Sequence, residues 1–273
     1  MEVKEKIQRE YDPTHPNFQR WQKAREISDE RAKFVEKILS TNIIPEGLII
    51  LDVGAGEGST SKLLSQKNFV VSLEMKLERT RKISPTESLH PIIGDGLRLP
   101  FKFNSFDIIL LQDVIEHLVV SEELVEGLSR HLKRNGIIYL STPNRLSFFN
   151  IIADPHWGLP FLSLFKRDQL KKYFLKIFRK SDYNRDDIAE LLSLKNLYKF
   201  FNEKYSINIC TKFSVKYLLN GGKGLVWSNF HLGLIKLINS LYIKKMLIYV
   251  SNDKYGIINK FITPTFYIIL KKK

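Results

Sequence analysis

The chain has 273 residues, of which 44% are hydrophobic, and this is enough for one α/β core with at most a small appendage. Its single cysteine, Cys210, excludes an intrachain disulfide, and the charged opening MEVKEKIQREYDP predicts no signal peptide. The formal net charge of +14 lies entirely in residues 151–273, which hold 22 Lys and Arg against 8 Asp and Glu, and this asymmetry indicates an acidic partner or a lysine-rich solvated surface.

The first half alternates between helical and strand patterns. Residues 18–40 have apolar side chains at helical spacing with charges between them, which predicts a helix. Residues 48–53, LIILDV, form a continuous apolar run typical of a strand buried on both faces. Residues 121–136 predict an amphipathic helix that ends at a glycine. Four further strands are predicted, at 69–74, 90–96, 105–113 and 136–144. This alternation predicts a parallel sheet covered on both faces.

The pattern changes after Pro143, where aromatic residues and lysines become frequent. Helices are predicted near 167–179 and 186–202, and a sixth strand is predicted within 205–213. Helix or loop is expected from there to residue 262, and an apolar run within 261–273 predicts the last strand. No stretch offers about 18 uninterrupted apolar residues, so no membrane-spanning helix is expected.

The stretch LDVGAGEG at residues 51–58 runs from a predicted strand through a glycine-rich turn into a helix. Such a turn places backbone N–H groups at the carboxyl edge of the sheet, where ligands bind. The spacing is G-x-G-x-G, formed by Gly54, Gly56 and Gly58 with Asp52 upstream. It differs from the dinucleotide pattern G-x-G-x-x-G, whose third position here is Ser59. The turn therefore predicts a nucleotide-like ligand, and a dinucleotide, as in a nicotinamide oxidoreductase, is the alternative that fits least.

Two carboxylates strengthen this prediction. Glu74 ends the second predicted strand, 20 residues after Gly54, where a carboxylate can accept both hydroxyls of a ribose. Asp95 follows the third strand in GDG, where it could accept from an adenine amino group. Each residue alone has an ordinary alternative as a strand-end or turn residue, and it is their joint spacing that indicates a ligand.

The chain resembles the class I S-adenosylmethionine-dependent methyltransferases, and within them the type 11 group that includes quinone-biosynthesis enzymes. The resemblance covers about residues 45–145 and rests on LDVGAGEG, SLE, GDGLRLPF, FDIILLQDVIEHL and LKRNGIIYLSTPNR. It implies S-adenosyl-L-methionine as cofactor and a three-layer Rossmann-like α/β fold. That fold has a seven-stranded, mainly parallel sheet with an antiparallel last strand. One departure is Asn135, where the family usually has a glycine, and asparagine tolerates the left-handed conformation.

The resemblance also implies roles for particular residues around the cofactor. The residues are Asp52, Gly54, Gly56 and Gly58 along the methionine part, Glu74 at the ribose, Asp95 and Gly96 at the adenine, and Gln112 and Asp113 facing the sulfonium.

Methyl transfer from a sulfonium is an in-line displacement, in which the protein mainly positions the acceptor and excludes water. A base is needed only where the acceptor loses a proton, and His117 is the candidate because its unperturbed pKa lies near neutrality. The alternative for His117 is a ring that packs beneath the site. Some quinone O-methyltransferases carry a similar D-x-x-E-H run that can hold a divalent metal. The residues here would be Asp113, Glu116 and His117, although we expect no metal.

The acceptor is expected to be a small or lipid-like molecule, lipid-linked or phosphorylated in view of the charge. In the family the segment after the fifth strand covers the acceptor, which suggests His156, Trp157 and Phe161 as pocket residues, with ordinary loop packing as the alternative. The chain lacks the Asn/Asp-Pro-Pro-aromatic run of enzymes that methylate base amino groups, and Cys210 is not in a Pro-Cys pair after the fourth strand. Nucleic acid is therefore the lesser partner hypothesis.

The segment RDQLKKYFLKIFRK at 167–180 is basic and amphipathic. On a regular helix, one face would carry Leu170, Tyr173, Phe174, Ile177 and Phe178. A helix of this kind can lie on an anionic membrane, although packing on the core with a solvated back is the alternative.

Together these observations predict an enzyme that methylates its acceptor at oxygen. The expected segments are an N-terminal helical cap (1–44), a cofactor-binding core (45–144), a helical insertion over the acceptor (145–204) and a part that completes the sheet (205–273). A cytoplasmic location is expected, with peripheral contact at the inner face of the membrane as a further hypothesis. An RNA methyltransferase and a non-catalytic, cofactor-binding regulatory protein at a membrane remain alternatives, and the oligomeric state is open.

Overall fold

A computed structural model gives the structure of the chain and describes residues 11–226, 229–240 and 243–273. The strands are β1 (Ile49–Val53), β2 (Phe69–Glu74), β3 (Leu89–Ile93), β4 (Phe106–Gln112), β5 (Leu132–Pro143), β6 (Tyr205–Ile209) and β7 (Thr265–Lys272). They form one seven-stranded sheet in the order β3-β2-β1-β4-β5-β7-β6. The pairs β1–β2, β2–β3 and β4–β5 are parallel, whereas β7 runs antiparallel to both β5 and β6. The predicted Rossmann-like α/β class with an antiparallel last strand is confirmed.

Strands β1 and β2 form where the sequence has mainly apolar runs. Every residue of β1 after Ile49 is buried, and so is every residue of β2 after Phe69. Ile50 lies beside Val70, which in turn lies beside Leu89 of β3. Parallel strands that are buried along their whole length need cover on both faces, so the core lies on both sides of the sheet.

Helices connect these strands and cover them. They are α1 (Phe18–Glu26), α2 (Ser28–Leu39), α3 (Ser59–Leu64), α4 (Leu77–Thr80), α5 (Glu122–His131), α6 (Phe148–Ile152), α7 (Arg167–Gln169), α8 (Lys176–Phe178), α9 (Leu194–Phe201), α10 (Thr211–Leu219), α11 (Asn229–Ser240) and α12 (Lys244–Val250). Short 3-10 turns lie at Leu162–Leu164 and Lys180–Asp182, and π-helical segments lie at Leu170–Leu175 and Ile258–Ile262.

The helix predicted at 121–136 is shorter than expected. The Ser121 hydroxyl caps its N-terminus by accepting from the N–H of Leu124, but α5 ends at His131. The prediction that Gly136 stops this helix is wrong, because Gly136 lies within β5. A Cβ at Gly136 would come within 3.0 Å of the carbonyl oxygen of Asp107, so glycine permits the close approach of the neighbouring strand.

Two other predicted helices are also interrupted. The helix predicted over 18–40 is divided at Ile27, which has φ −98° and ψ 6° and so lies outside helical geometry. The helix predicted at 186–202 begins only at Leu194. Ser193 and Asn196 form a capping box there, in which each side chain accepts a hydrogen bond from the backbone N–H of the other residue.

The segment between α7 and α8 is π-helical, so the prediction of one regular amphipathic helix over 167–180 is wrong. A π-helical stretch rotates the side chains that follow it, because its hydrogen bonds join residue i to residue i+5. The structure divides the predicted apolar face into buried Leu170 and Phe174 and exposed Tyr173, Ile177 and Phe178.

The chain divides into two compact units. Unit 1 comprises the residues up to Gly94 together with Lys212–Ser251, and unit 2 comprises Asp95–Thr211 together with Asn252–Lys273. This division differs from the predicted boundaries at residues 44, 144 and 204. The functional roles predicted for those segments stay predictions.

Asn144 joins the end of β5 to the chain that precedes β7 within unit 2. Its side chain is fully buried, and its Nδ2 donates to the carbonyl oxygens of Asn259, Lys260 and Thr263 at 3.3, 3.1 and 2.9 Å. Its Oδ1 accepts from the N–H of Leu146 at 3.0 Å. Buried backbone carbonyl oxygens need a hydrogen-bond donor, and the Asn144 amide supplies it to three of them. It thereby holds the π-helical segment that precedes β7.

Asp52 fixes the start of α3 to the end of β1 within unit 1. Its side chain is buried, and its Oδ2 accepts a 2.6 Å hydrogen bond from the Ser61 hydroxyl. Burial raises the pKa of Asp52 to about 7, since the hydrogen bond from Ser61 does not offset the lost hydration and the charge of Glu74 adds to the rise. Between about pH 4 and pH 7, the folded chain therefore binds a proton that the unfolded chain does not.

The substitution Asp52→Asn should stabilise the protein more at pH 8 than at pH 5. A proton bound only by the folded chain makes the free energy of unfolding fall as pH rises towards 7. The asparagine variant has no such proton, so its free energy of unfolding does not decrease in this way. The difference between the two pH values should be on the order of 3 kcal/mol at most. Thermal unfolding at both pH values measures it, with Asp168→Asn, which replaces an exposed carboxylate, as the control. An equal effect of Asp52→Asn at the two pH values would contradict the prediction.

Candidate functional site

The glycine-rich turn leaves β1 in the conformation that its glycines predict. Gly54, Gly56 and Gly58 have φ angles of 68°, 60° and 82°, in the left-handed region that favours glycine. The N–H of Gly54 donates to the carbonyl oxygen of Leu73 at 2.7 Å, which ties the turn to β2. A Cβ on Gly58 would lie 2.7 Å from the Ile83 side chain, whereas a Cβ on Gly56 would have no atom within 4 Å. The space beside Gly56 suits the close approach of a ligand to bare backbone.

Glu74 lies at the end of β2, as predicted, and its side chain is 5% exposed. Its Oε2 accepts from the N–H of Gly56 and its Oε1 accepts from the N–H of Lys76, both at 2.9 Å. A carboxylate has about four lone-pair positions, so it can still accept from a pair of hydroxyls. The structure therefore brings Glu74 and the glycine-rich turn together, while Asp52 faces Ser61.

Glu57, inside the glycine-rich turn, makes contacts that no sequence pattern predicts. Its Oε1 accepts from the Tyr11 hydroxyl at 2.6 Å and from Lys82 Nζ at 2.8 Å, and Lys82 also donates to the Tyr11 hydroxyl. The Arg25 guanidinium lies 4.8 Å from the centroid of the Tyr11 ring. Burial raises the pKa of Glu57, but the hydrogen bonds from Lys82 and Tyr11 outweigh it and hold the pKa below its usual range. These contacts fasten the chain near residue 11 to the turn.

In unit 2, Gln112 and Asp113 lie at the end of β4, as predicted. Asp113 has a φ of 54°, a conformation that aspartate tolerates better than most residues, and its Oδ1 accepts from the Ser141 hydroxyl at 2.7 Å. Asp95 precedes Gly96, and its Oδ1 accepts from the N–H two residues further on at 2.9 Å, which is the contact of a turn residue. The roles of these residues toward adenine and sulfonium stay predictions.

His117 lies in the turn that follows β4, and its Nδ1 is 2.7 Å from the carbonyl oxygen of Asp187. A carbonyl oxygen only accepts, so Nδ1 carries the proton and Nε2 keeps a lone pair. Burial lowers the pKa of His117 below its ordinary value of 6.5, and the charges of Arg185 and Arg167 lower it further, against a partial rise caused by Asp187. The ring is therefore neutral at pH 7, which is the state that a general base requires.

Glu116 and His156 lie beside His117. The Glu116 side chain is buried, and its Oε2 accepts from the Thr142 hydroxyl at 3.0 Å. The two histidine rings meet edge to face with their centroids 5.5 Å apart. One possible ligand atom from each of Glu116, His117 and His156 lies within 4.8 Å of the other two. One carboxylate oxygen and two imidazole nitrogens fit a divalent ion such as Zn²⁺. Asp113, the other residue of the predicted metal set, is not in this group.

Arg167 holds the turn that carries His117, and the sequence predicted it only as the start of a basic helix. Its Nη2 donates to the carbonyl oxygens of Glu116, His117 and Leu118 at 3.2, 3.3 and 3.2 Å, and its Nε donates to that of Ile188 at 2.8 Å. No local pattern signals these contacts, because three of the partners lie about 50 residues away along the chain and Ile188 lies 21 residues away. Arg167 is therefore a positioning residue.

Trp157 and Phe161, predicted with His156 for an acceptor pocket, lie in different surroundings. Trp157 packs edge-on against Phe174, with ring centroids 5.4 Å apart. It belongs to a buried cluster whose other members are Leu162, Leu170, Phe174, Leu175 and Ile188. Phe161 is 62% exposed and has a φ of 66°, which is a strained conformation for an aromatic residue. An acceptor-binding role stays a prediction for all three residues.

Comparison with known proteins finds a family that one segment of the chain matches. Residues 51–140 match the type 11 family described as a methyltransferase domain. The ubiquinone biosynthesis O-methyltransferase of Caulobacter vibrioides is 30% identical over 107 residues, which cover 37% of this chain and 42% of that protein. The malonyl-[acyl-carrier protein] O-methyltransferase of Marinomonas sp. is 25% identical over 134 residues, which cover 45% of this chain and 50% of that protein. The chain spans half or less of the length of these curated relatives.

The fold has a counterpart among solved structures. An S-adenosylmethionine-dependent methyltransferase from Mesorhizobium loti aligns over 86% of this chain and 96% of its own, with a TM-score of 0.54 and 12% identity. At this identity the likeness concerns the fold alone. The family match contains the glycine-rich turn, Glu74 and His117. Over residues 51–140 the chain is therefore similar to the type 11 group of the class I S-adenosylmethionine-dependent methyltransferases, a family whose cofactor is S-adenosylmethionine.

Proposed function

We propose that the chain transfers the methyl group of S-adenosylmethionine to an oxygen of a small-molecule or lipid-like acceptor. The observation that carries this proposal is the buried Glu74 carboxylate, held by the backbone of the glycine-rich turn inside the segment that matches the family. The names of the two relatives, both O-methyltransferases, support oxygen as the methylated atom. The positive charge of residues 151–273 supports an acceptor that is phosphorylated or linked to a lipid.

The residues of unit 1 fit the cofactor. Glu74 would accept from the ribose hydroxyls, and the backbone of the turn from Gly54 to Gly58 would border the methionine part, where Gly56 leaves open space. Asp52 would act through Ser61 by holding the start of α3. The cofactor supplies an activated methyl group, so the protein's task is to position and deprotonate the acceptor and to exclude water.

His117 would deprotonate the acceptor hydroxyl. Its Nε2 lone pair would take the proton, while the Asp187 carbonyl oxygen keeps the other ring nitrogen protonated and the ring oriented. Arg167 would hold the turn in place through three carbonyl oxygens. The lowered pKa of His117 keeps the base unprotonated over the neutral range.

A second candidate is metal-assisted methylation, which the group of Glu116, His117 and His156 favours. A divalent ion held by these three residues would lower the pKa of a bound acceptor hydroxyl. In that case His117 would serve as a ligand, and the proton of the acceptor hydroxyl would pass to water.

The class of acceptor can be tested with radiolabelled cofactor. We expect transfer of labelled methyl groups to a small-molecule or lipid fraction when the protein is incubated with S-adenosylmethionine and a fractionated native extract. Label in RNA would instead support the alternative of an RNA methyltransferase. Binding of S-adenosylhomocysteine without any transfer would support a non-catalytic, cofactor-binding protein.

The substitution Glu74→Gln should weaken binding of S-adenosylhomocysteine roughly 10- to 100-fold, because hydrogen bonds to a charged acceptor contribute about 1.5–3 kcal/mol. Titration calorimetry measures the affinity, and circular dichroism checks that the variant is folded. Glu87→Gln, which changes an exposed carboxylate in the same unit, is the matched control. Unchanged affinity in a folded Glu74→Gln protein would refute the assigned role.

The substitution His117→Asn should lower the rate of methyl transfer by about 10²- to 10⁴-fold and leave the affinity for S-adenosylhomocysteine unchanged, because it removes Nε2. The wild-type rate should fall only below pH 6.5, since burial lowers the pKa of His117. Rates are measured with the labelled acceptor fraction, and His90→Gln serves as the control.

The same assay separates the two candidates for unit 2. If His117 acts alone as the base, a chelator has no effect and His156→Asn lowers the rate only slightly. If a metal takes part, the chelator abolishes transfer, a divalent ion restores it, and His156→Asn is as damaging as His117→Asn.

A further inference from the structure

Helices α11 and α12 of unit 1 present large apolar side chains to solvent. Tyr249 is 87% exposed, and α12 has no buried residue at all. Among the side chains that the structure describes on these two helices, the large apolar ones that are exposed are Leu232, Leu237, Met246, Tyr249 and Val250. Together with Lys236, Lys244 and Lys245 they are called the α11–α12 surface. Each helix thus offers large apolar side chains that a partner could cover.

The stretch of sequence that contains α11 and α12 carries charges of one sign. Residues 204–252 contain seven lysines and no Asp or Glu. Lys236 and Lys245 are exposed on the same two helices that present the apolar side chains. Lysine beside exposed leucine, methionine and tyrosine is the combination found on helices that lie in the interface of an anionic bilayer.

We propose that the α11–α12 surface docks on an anionic lipid bilayer. The two helices have 12 and 7 residues, and no helix within the described ranges is long and apolar enough to cross a membrane. A helix of this length with apolar and lysine side chains lies in the plane of the interface. Tyr249 suits that position, because its ring is apolar and its hydroxyl can reach water.

A second copy of the chain fits this surface less well. Self-association would bring Lys236, Lys244 and Lys245 of one copy against lysines of another, and residues 204–252 offer no carboxylate to pair with them. Anionic headgroups supply the missing negative charge.

The segment from α7 to α8 is less suited to docking on a bilayer than the α11–α12 surface. It buries Leu170 and Phe174 in the core of unit 2, and it carries Asp168. It therefore provides the comparison surface for the test.

Vesicle flotation tests the proposal with the full chain and needs no acceptor, so its outcome is independent of the proposed methyl transfer. We expect binding to vesicles of phosphatidylcholine and phosphatidylglycerol in equal amounts, and much weaker binding to phosphatidylcholine alone. Changing Lys236, Lys244 and Lys245 together to Gln should weaken binding about 100-fold, from roughly fivefold per lysine near an anionic surface. The triple change Leu237→Ser, Met246→Ser and Tyr249→Ser should abolish it.

The matched control is the triple change Tyr173→Ser, Ile177→Ser and Phe178→Ser, which should leave vesicle binding intact. Each variant is checked for folding by its affinity for S-adenosylhomocysteine. The proposal is overturned if the wild-type chain does not bind anionic vesicles in the flotation assay, or if only the control variant loses vesicle binding. It is also overturned if light scattering shows a dimer that the α11–α12 variants dissociate while vesicle binding persists.

Discussion

The hydrogen bond from the Gly56 N–H to the Glu74 carboxylate is the contact on which the rest of unit 1 depends. It forms because Gly56 takes a φ of 60° and because β1 and β2 pair in the register that sets Val53 beside Leu73. A slip of one residue would turn Glu74 to the opposite face of the sheet. The same register places the Leu73 carbonyl oxygen on the N–H of Gly54. Strand pairing thus fixes a negative charge beside a bare stretch of backbone.

The parts of the fold that local sequence determines could be predicted. Strands β1, β2 and β4 appear as mainly apolar runs, and Glu74 was found from its distance to Gly54 because that spacing follows from one strand–helix–strand unit. The ends of helices were predicted less well. The sequence predicts a helix stop at Gly136, but this glycine lies in β5, where it allows the Asp107 backbone to come close. The helix break at Ile27 has no proline or glycine beside it that would predict a break. Such boundaries depend on tertiary contacts between residues that are far apart in the sequence, and a short stretch of sequence does not reveal these contacts.

The surroundings of His117 show the same limit in the candidate site. The D-x-x-E-H run located Glu116 and His117, yet the third residue that the structure brings to them is His156. Asp113 instead bonds to Ser141. The group that orients the His117 ring is a backbone carbonyl oxygen 70 residues away, and a backbone group carries no sequence signal. In the sequence, Arg167 cannot be told from a cation on the surface, because its backbone carbonyl partners are known only from the structure. Residue types indicated the chemistry, whereas the tertiary contacts decided which side chains take part.

Half of the net charge of +14 lies in residues 204–252, which include most of the chain between β6 and β7. Strands β6 and β7 pair directly, with Asn208 beside Ile269, so the sheet does not need the helices that the chain inserts between them. Residues 204–252, which cover most of that insertion, hold seven lysines and no acid. Residues 1–150, which contain the glycine-rich turn, Glu74 and His117, are balanced in charge. Because the insertion does not contribute to the β1–β2 register, its surface can change to suit a partner while the hydrogen bond to Glu74 is preserved.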